Sequence, residues 1–387
     1  MQVLKKNPLI DGHNDLLILI RHVYGNHIYS STSTFQHAFE NGGMPGHVDV
    51  PRLQKGKVGG SFWSAFVPCP ANGSDFSDEN YAPSLHSDSH RPRRPRGFQI
   101  RQTDLPIGIE GLHQIGNSVS TLRLYHRLGV RYATLTWNCH NNYADAALVA
   151  NSTGDTVVSS PLWHGVSPAG RALIEEMNRM GMLVDLSHTS DDTMRDVLGG
   201  SPEKGWSGSL APPIFSHSSA RAICPHPRNV PDEMLQLVKA KNGLVMVNFA
   251  PDFVSCRAAA GNASGGGLPE FVDDTNTLLQ VVRHIMHIGN LIGFDHVGLG
   301  TDYDGIPNTP RGLEDVSKFP DLVAELLRQG VSTEDTGKVV GRNLLRVWRE
   351  ADKVAESLQR EREPLEDDVR TRAASEAVAG LSLPVFG

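Results

Sequence analysis

Short apolar runs rich in β-branched residues alternate along the chain with amphipathic stretches, and eight runs carry the strand pattern: Leu9-Asp11, Ser61-Phe66, Ile107-Glu110, Val130-Thr136, Met182-Asp185, Ile214-Ser216, Leu244-Asn248 and Val297-Thr301. Helical spacing lies between several of them. Leu173, Ile174, Met177 and Met180 share one face before the Met182 run, and Met234, Leu235 and Val238 share another, opened by Pro231 and closed by Gly243. A third stripe, Leu278, Leu279, Val282, Ile285 and Met286, predicts a helix within Thr275 to Gly289. Strand and helix in alternation imply a parallel sheet with right-handed crossovers. The expected fold class is α/β, a (β/α)8 TIM-like barrel over residues 1–350, followed by a charged helix and tail over 351–387. One stretch breaks the pattern: residues 68–105 are rich in Pro, Ser and Asp, show no helical period, and read as an irregular insertion.

With 387 residues, 39% of them hydrophobic, the chain can bury one large core. Its formal net charge of -7 and the lack of a dense basic stripe argue against nucleic acid as a partner. The Arg91-Pro92-Arg93-Arg94-Pro95-Arg96 cluster lies in the Pro/Ser-rich stretch and reads as a solvated loop. No apolar run approaches the roughly 20 residues of a membrane span, so no membrane anchor is expected. The first strand begins too close to Met1 for a charged leader and an apolar core, which predicts a cytoplasmic chain. Cys69, Cys139, Cys224 and Cys256 lack zinc-finger spacing and are either buried thiols or two disulfides.

Candidate chemistry gathers where the strands end. His13 and Asp15 follow the first strand, Glu110 ends the third, His188 and His217 follow the fifth and sixth, and Asp302 and Asp304 follow the eighth. Polar groups at the carboxyl ends of successive strands describe the catalytic rim of a parallel barrel. Most of the 17 histidines, including His22, His27, His37, His86, His90, His284 and His287, read as surface or hydrogen-bonded core residues. His13 and Asp15 differ, because an HxD pair past a strand aims two ligands at one point. With Glu110, His188 and His217 they make five N and O ligands, enough for two cations if Glu110 bridges. Such a pair activates a shared water and polarises the carbonyl it attacks. No GxSxG elbow, Walker A sequence or GxGxxG at a first βα turn offers another chemistry.

Taken in order, Ile10-Asp11-Gly12-His13-Asn14-Asp15, Gly59-Gly60-Ser61-Phe62-Trp63-Ser64, Gly108-Ile109-Glu110-Gly111, Asp185-Leu186-Ser187-His188, Phe215-Ser216-His217-Ser218-Ser219, Arg228-Asn229-Val230-Pro231 and Thr301-Asp302-Tyr303-Asp304-Gly305 resemble the membrane (renal) dipeptidase family of zinc metallopeptidases. The resemblance runs from residue 9 to about 350. It implies two Zn2+ per chain, one held by His13, Asp15 and Glu110 and the other by Glu110, His188 and His217. It further implies that Arg228 grips the free carboxylate of a small dipeptide and that Asp304 serves the substrate amine and the proton transfers. The cysteines would pair as Cys69 with Cys139 and Cys224 with Cys256, a pairing suited to the secretory pathway rather than the cytoplasm. Members often pair as homodimers, although no apolar stripe here marks an interface. The narrower likeness is to fungal dipeptidases of gliotoxin-like pathways, which trim Cys-Gly units from glutathione-derived conjugates.

The sequence departs from this family at Trp137, which stands where the family has a histidine that stabilises the oxyanion. Loss of one such donor costs about 2.7–4 kcal/mol of barrier, or ~10²–10³ in rate. The indole N–H of Trp137, or His140 three residues on, offers partial compensation. Two other readings stand beside the dipeptidase: a metal-binding relative impaired by Trp137, and a non-peptidase amidohydrolase such as a lactonase.

Overall fold

The computed structural model describes residues 2–29, 34–70, 73, 75–77, 80, 106–259 and 266–367. Twelve strands occur among these: β1 (Leu9–Asn14), β2 (Val58–Phe66), β3 (Ile107–Glu110), β4 (Val130–Thr134), β5 (Leu148–Ala150), β6 (Thr156–Val158), β7 (Leu183–Asp185), β8 (Ile214–Phe215), β9 (Leu244–Val247), β10 (Cys256–Arg257), β11 (Glu270–Phe271) and β12 (Val297–Leu299). Eight of them form one parallel sheet in the order β1-β2-β3-β4-β7-β8-β9-β12, and these are the eight expected from the sequence. Between the outer strands a bridge pairs Asn14 with Tyr303, and Asp302 N–H donates to the carbonyl of His13 at 3.0 Å. The sheet is thus a nearly closed TIM-like barrel. The pairs β5/β6 and β10/β11 are short antiparallel ribbons outside it, and the sequence reading missed both. At two or three residues each, they are too short to show a period.

Helices cover the barrel where their apolar faces predicted. Ser167 caps Pro168–Met180 by accepting from Gly170 N–H, and Gly181 closes it in the left-handed region that favours glycine. Leu278–Ile292 begins and ends three residues later than expected. Asp232–Ala240 stops short of Gly243, because left-handed Asn242 (φ 55°) reverses the chain first. The helix Asn343–Glu361 runs unbroken through residue 350. It packs Leu344, Val347 and Ala351 against the barrel floor made by Phe62, Tyr132, Leu183, Ile214 and Leu244. The ring of Tyr132 fits that floor only because residue 108 is glycine: a Cβ there would lie 2.0 Å from it. Both expected disulfides are formed, Cys69–Cys139 and Cys224–Cys256. Most of the irregular stretch between β2 and β3, and the tail after residue 367, fall outside the described residues. None of the described helices is long and apolar enough to cross a membrane.

Candidate metal centre and active site

Side chains alternate across a strand, so Asp11, His13 and Asp15 leave β1 on one side and turn into the barrel mouth. Asp11 lies deepest. Its carboxylate accepts from Thr301 N–H (2.8 Å), Thr301 Oγ1 (2.6 Å) and His13 N–H (3.3 Å), tying β1 to the end of β12, and burial raises its pKa to about 6. His13 and Asp15 sit above it, Glu110 projects from the last position of β3, and His188 and His217 come from the turns after β7 and β8. His188 adopts φ 66°, a left-handed backbone unusual for a side chain of its size and typical of functional turns.

All five expected ligands converge into two overlapping groups. His13, Asp15 and Glu110 form one and Glu110, His188 and His217 the other, with ligand atoms in each within 4.8 Å of one another. Glu110 spans both. Its Oε2 is 3.8 Å from His13 Nε2, while its Oε1 is 2.9 Å from His188 Nε2 and 3.4 Å from His217 Nε2.

Hydrogen bonding around the ring fixes which nitrogens carry protons. Ser216 Oγ donates to Asp185 Oδ2 at 2.6 Å, so it accepts from His217 Nδ1–H at 2.8 Å. Asn138 Oδ1 accepts from His188 Nδ1–H at 3.0 Å. Both Nε2 atoms are therefore left as lone pairs, 3.0 Å apart and facing a carboxylate oxygen. Burial holds both imidazoles far below their ordinary pKa, in the neutral form that ligates metal. Two imidazole lone pairs and a carboxyl oxygen meeting at one buried point make a donor set that suits a divalent cation.

The first group is richer in carboxyl groups than the second. His13 Nε2 faces Asp15 Oδ2 at 3.2 Å and Asp302 Oδ1 at 3.9 Å as well as Glu110, and Asp15 Oδ1 is buried without a hydrogen-bond partner. Burial opposes charge on His13, but the Asp15 and Glu110 carboxylates outweigh it and push its pKa up to about 10. Burial likewise raises Glu110 to about 8, against the pull of His13, and Asp302 to about 7. Carboxylates crowded out of water in this way are satisfied by cations between them.

Around these groups opens a pocket of about 820 Å³, lined among others by Phe66, Trp137, Asn138, Arg228, Phe253 and Asp302. Arg228 is 1% exposed, with Nη1 3.4 Å from Ser218 Oγ, and its Nε and Nη2 have no partner. Its guanidinium lies 5.2 Å over the Phe253 ring, and burial lowers its pKa to about 10, which leaves it charged at neutral pH. Trp137 packs on Phe66 with ring centroids 4.7 Å apart and forms the wall beside His188 at 6.1 Å.

Asp304 also borders the pocket: its Oδ1 accepts from His47 N–H (2.5 Å), and its Oδ2 is buried without a hydrogen-bond partner. Asp302 is the carboxylate that joins the ligand cluster. Nothing in the sequence separates the two, because both follow the same strand with a left-handed backbone, φ 66° at each. His140 is not among the residues lining the pocket, and its Nδ1 lies 3.2 Å from Ala146 N and 3.1 Å from Asp145 Oδ1. The supports Asn138, Asp185 and Ser216 also escaped the sequence reading, since only contact with a ligand gives them a role.

A family model described as membrane dipeptidase (peptidase family M19) matches residues 1–91 and 95–362. Among curated proteins, the chain is 42% identical to dipeptidase aclJ of Aspergillus oryzae, over 95% of this chain and 84% of the relative. It is 41% identical to dipeptidase tcpJ of Claviceps purpurea, over 93% and 80%. Among solved structures, the probable dipeptidase PvdM of Pseudomonas aeruginosa superposes with a TM-score of 0.68 at 20% identity, covering 92% of this chain and 98% of that one. A metallopeptidase of Rhodobacter sphaeroides, solved with a phosphinate mimic of L-Ala-D-Ala, superposes at 0.64 and 23% identity, covering 89% and 99%. Those two likenesses carry the fold, and the family match with the curated relatives carries the assignment: this chain belongs to the membrane dipeptidase family of metallopeptidases, family M19.

Proposed function

We propose that the chain is a binuclear zinc dipeptidase, with His13, Asp15 and Glu110 holding one ion and Glu110, His188 and His217 the other. Zinc so held supplies Lewis-acid polarisation of the scissile carbonyl and a water activated at neutral pH. The observation that carries the reading is Arg228, a fully buried cation with two unpartnered N–H-bearing nitrogens in the wall of the pocket that holds the ligand cluster. A planar guanidinium there suits bidentate capture of a free carboxylate, which limits the substrate to a residue or two beyond the cut bond. Asp302, rather than Asp304, takes the place beside the substrate amine and holds or passes its proton. Burial raises its pKa to about 7, and cations bound beside it would lower that value.

Cys-Gly is included in the substrate class, as is the same unit carrying a substituent on sulfur. A dipeptide leaves much of the 820 Å³ unfilled, and Phe66, Trp137 and Phe253 give the remainder an aromatic lining. The two disulfides favour an oxidising compartment over the cytoplasm expected from the amino terminus. The test is release of free glycine from Cys-Gly and Leu-Gly by purified protein, with and without added zinc. Zinc-dependent release is expected, and none at any metal loading overturns the reading.

A further inference from the structure

We propose that Asn151 is an N-glycosylation site, at the tip of the β5/β6 hairpin and outside the active-site pocket. Asn151-Ser152-Thr153 has the acceptor pattern N-x-[ST], and all three residues are exposed, as are Gly154, Asp155 and Thr156 after them. The tip is built around the asparagine. Its Oδ1 accepts from Thr153 N–H (3.0 Å) and Asp155 N–H (2.8 Å), while the Thr153 hydroxyl lies 2.7 Å from that oxygen and 2.6 Å from Asp155 Oδ2. That oxygen is saturated, whereas Nδ2 has only Asp155 Oδ2 at 3.5 Å, so the amide nitrogen is the end available for substitution. A glycan on it projects into solvent from a turn that buries nothing.

A second, independent observation bears on the compartment. Both cysteine pairs are oxidised, which is the state of chains that mature where such glycans are added. In the transfer, the Asn151 amide nitrogen forms a bond to the anomeric carbon of an N-acetylglucosamine carried on a lipid pyrophosphate. The carbon–oxygen bond to the pyrophosphate breaks, the lipid pyrophosphate leaves with the electron pair, and the amide gives up one proton to base. No redox partner is required. Two further matches to the pattern, Asn72-Gly73-Ser74 and Asn262-Ala263-Ser264, have their asparagines outside the described residues. Neither β5 nor β6 lines the pocket, so the glycan has no role in the reaction.

The test is made on the full chain isolated from its own cells. The peptide spanning Asn151 is treated with peptide N-glycosidase in heavy-oxygen water and read by mass spectrometry. The expected result is a glycan mass before treatment and an 18O-labelled aspartate at position 151 after it. Asn151→Gln and Thr153→Ala should each lose that glycan and keep the glycine-release rate. An unmodified Asn151 peptide from the native chain overturns the proposal, whatever the outcome of the dipeptidase assay.

Discussion

His284 and His217 are both fully buried, yet the regions around them treat an imidazole in opposite ways. On the barrel flank, Ala220 N–H donates to His284 Nδ1 at 3.0 Å and His284 Nε2–H donates to Val254 O at 2.9 Å, so both ring nitrogens are matched. At the rim, His217 has one matched nitrogen and aims the other at His188 Nε2 and Glu110 Oε1, the other two members of its ligand group. The difference separates a histidine kept for structure from one kept for a ligand, and burial alone cannot make that distinction. The same contrast holds for charge. Asp11 is surrounded by donors from Thr301 and His13, while Asp15 and Asp302 share the single His13 Nε2 between them and Asp15 Oδ1 is buried without a hydrogen-bond partner.

The contrast breaks first at Glu110, the residue shared by both ligand groups. Glu110→Gln should bring glycine release to below about 10⁻³ of wild type and lower bound zinc measured by plasma emission, since a neutral amide bridges cations poorly. Full zinc content with full rate would make the carboxylate a bystander. Arg228→Met tests the pocket separately from the ions: kcat/KM for dipeptides should fall ~10²–10³ with metal content unchanged. Trp137→His runs in the opposite direction. Restoring a donor at this wall should raise kcat by about 10², and an unchanged rate removes position 137 from the oxyanion site.

The smallest effect belongs to the matched histidine. Burial lowers the pKa of His284 from 6.5 to about 4 in the folded chain. The unfolded state therefore binds a proton in that window that the folded state does not. Its contribution is fully present above about pH 6.5 and is lost progressively as pH falls toward 4, roughly 3 kcal/mol in all. Denaturant midpoints measured across that range should fall with pH, and more steeply than in His284→Asn.

The eight barrel strands were legible because each is a β-branched apolar run ended by polar residues, and the five ligands because those polar residues recur at strand ends. Legibility ends where neighbours in space decide. Asp302 and Asp304 lie two residues apart past one strand, and only folding brings Asp302 Oδ1 within 3.9 Å of His13 Nε2 while Asp304 Oδ1 accepts from His47 N–H. His140 lies three residues past Trp137 in sequence, yet its Nδ1 faces Ala146 and Asp145 and it does not line the pocket. Asn138 reaches His188 across 50 residues of sequence, and Asp185 reaches across 31 to Ser216, which in turn accepts from the adjacent His217. The hairpin that carries Asn151 was missed because three-residue strands leave no periodic trace.

The account depends most on Glu110 joining two cations. Crystals grown with zinc and measured on both sides of the zinc absorption edge should give two anomalous peaks roughly 3.5–4 Å apart, one on each side of the Glu110 carboxylate. A single peak, or two that leave Glu110 unligated, would contradict it.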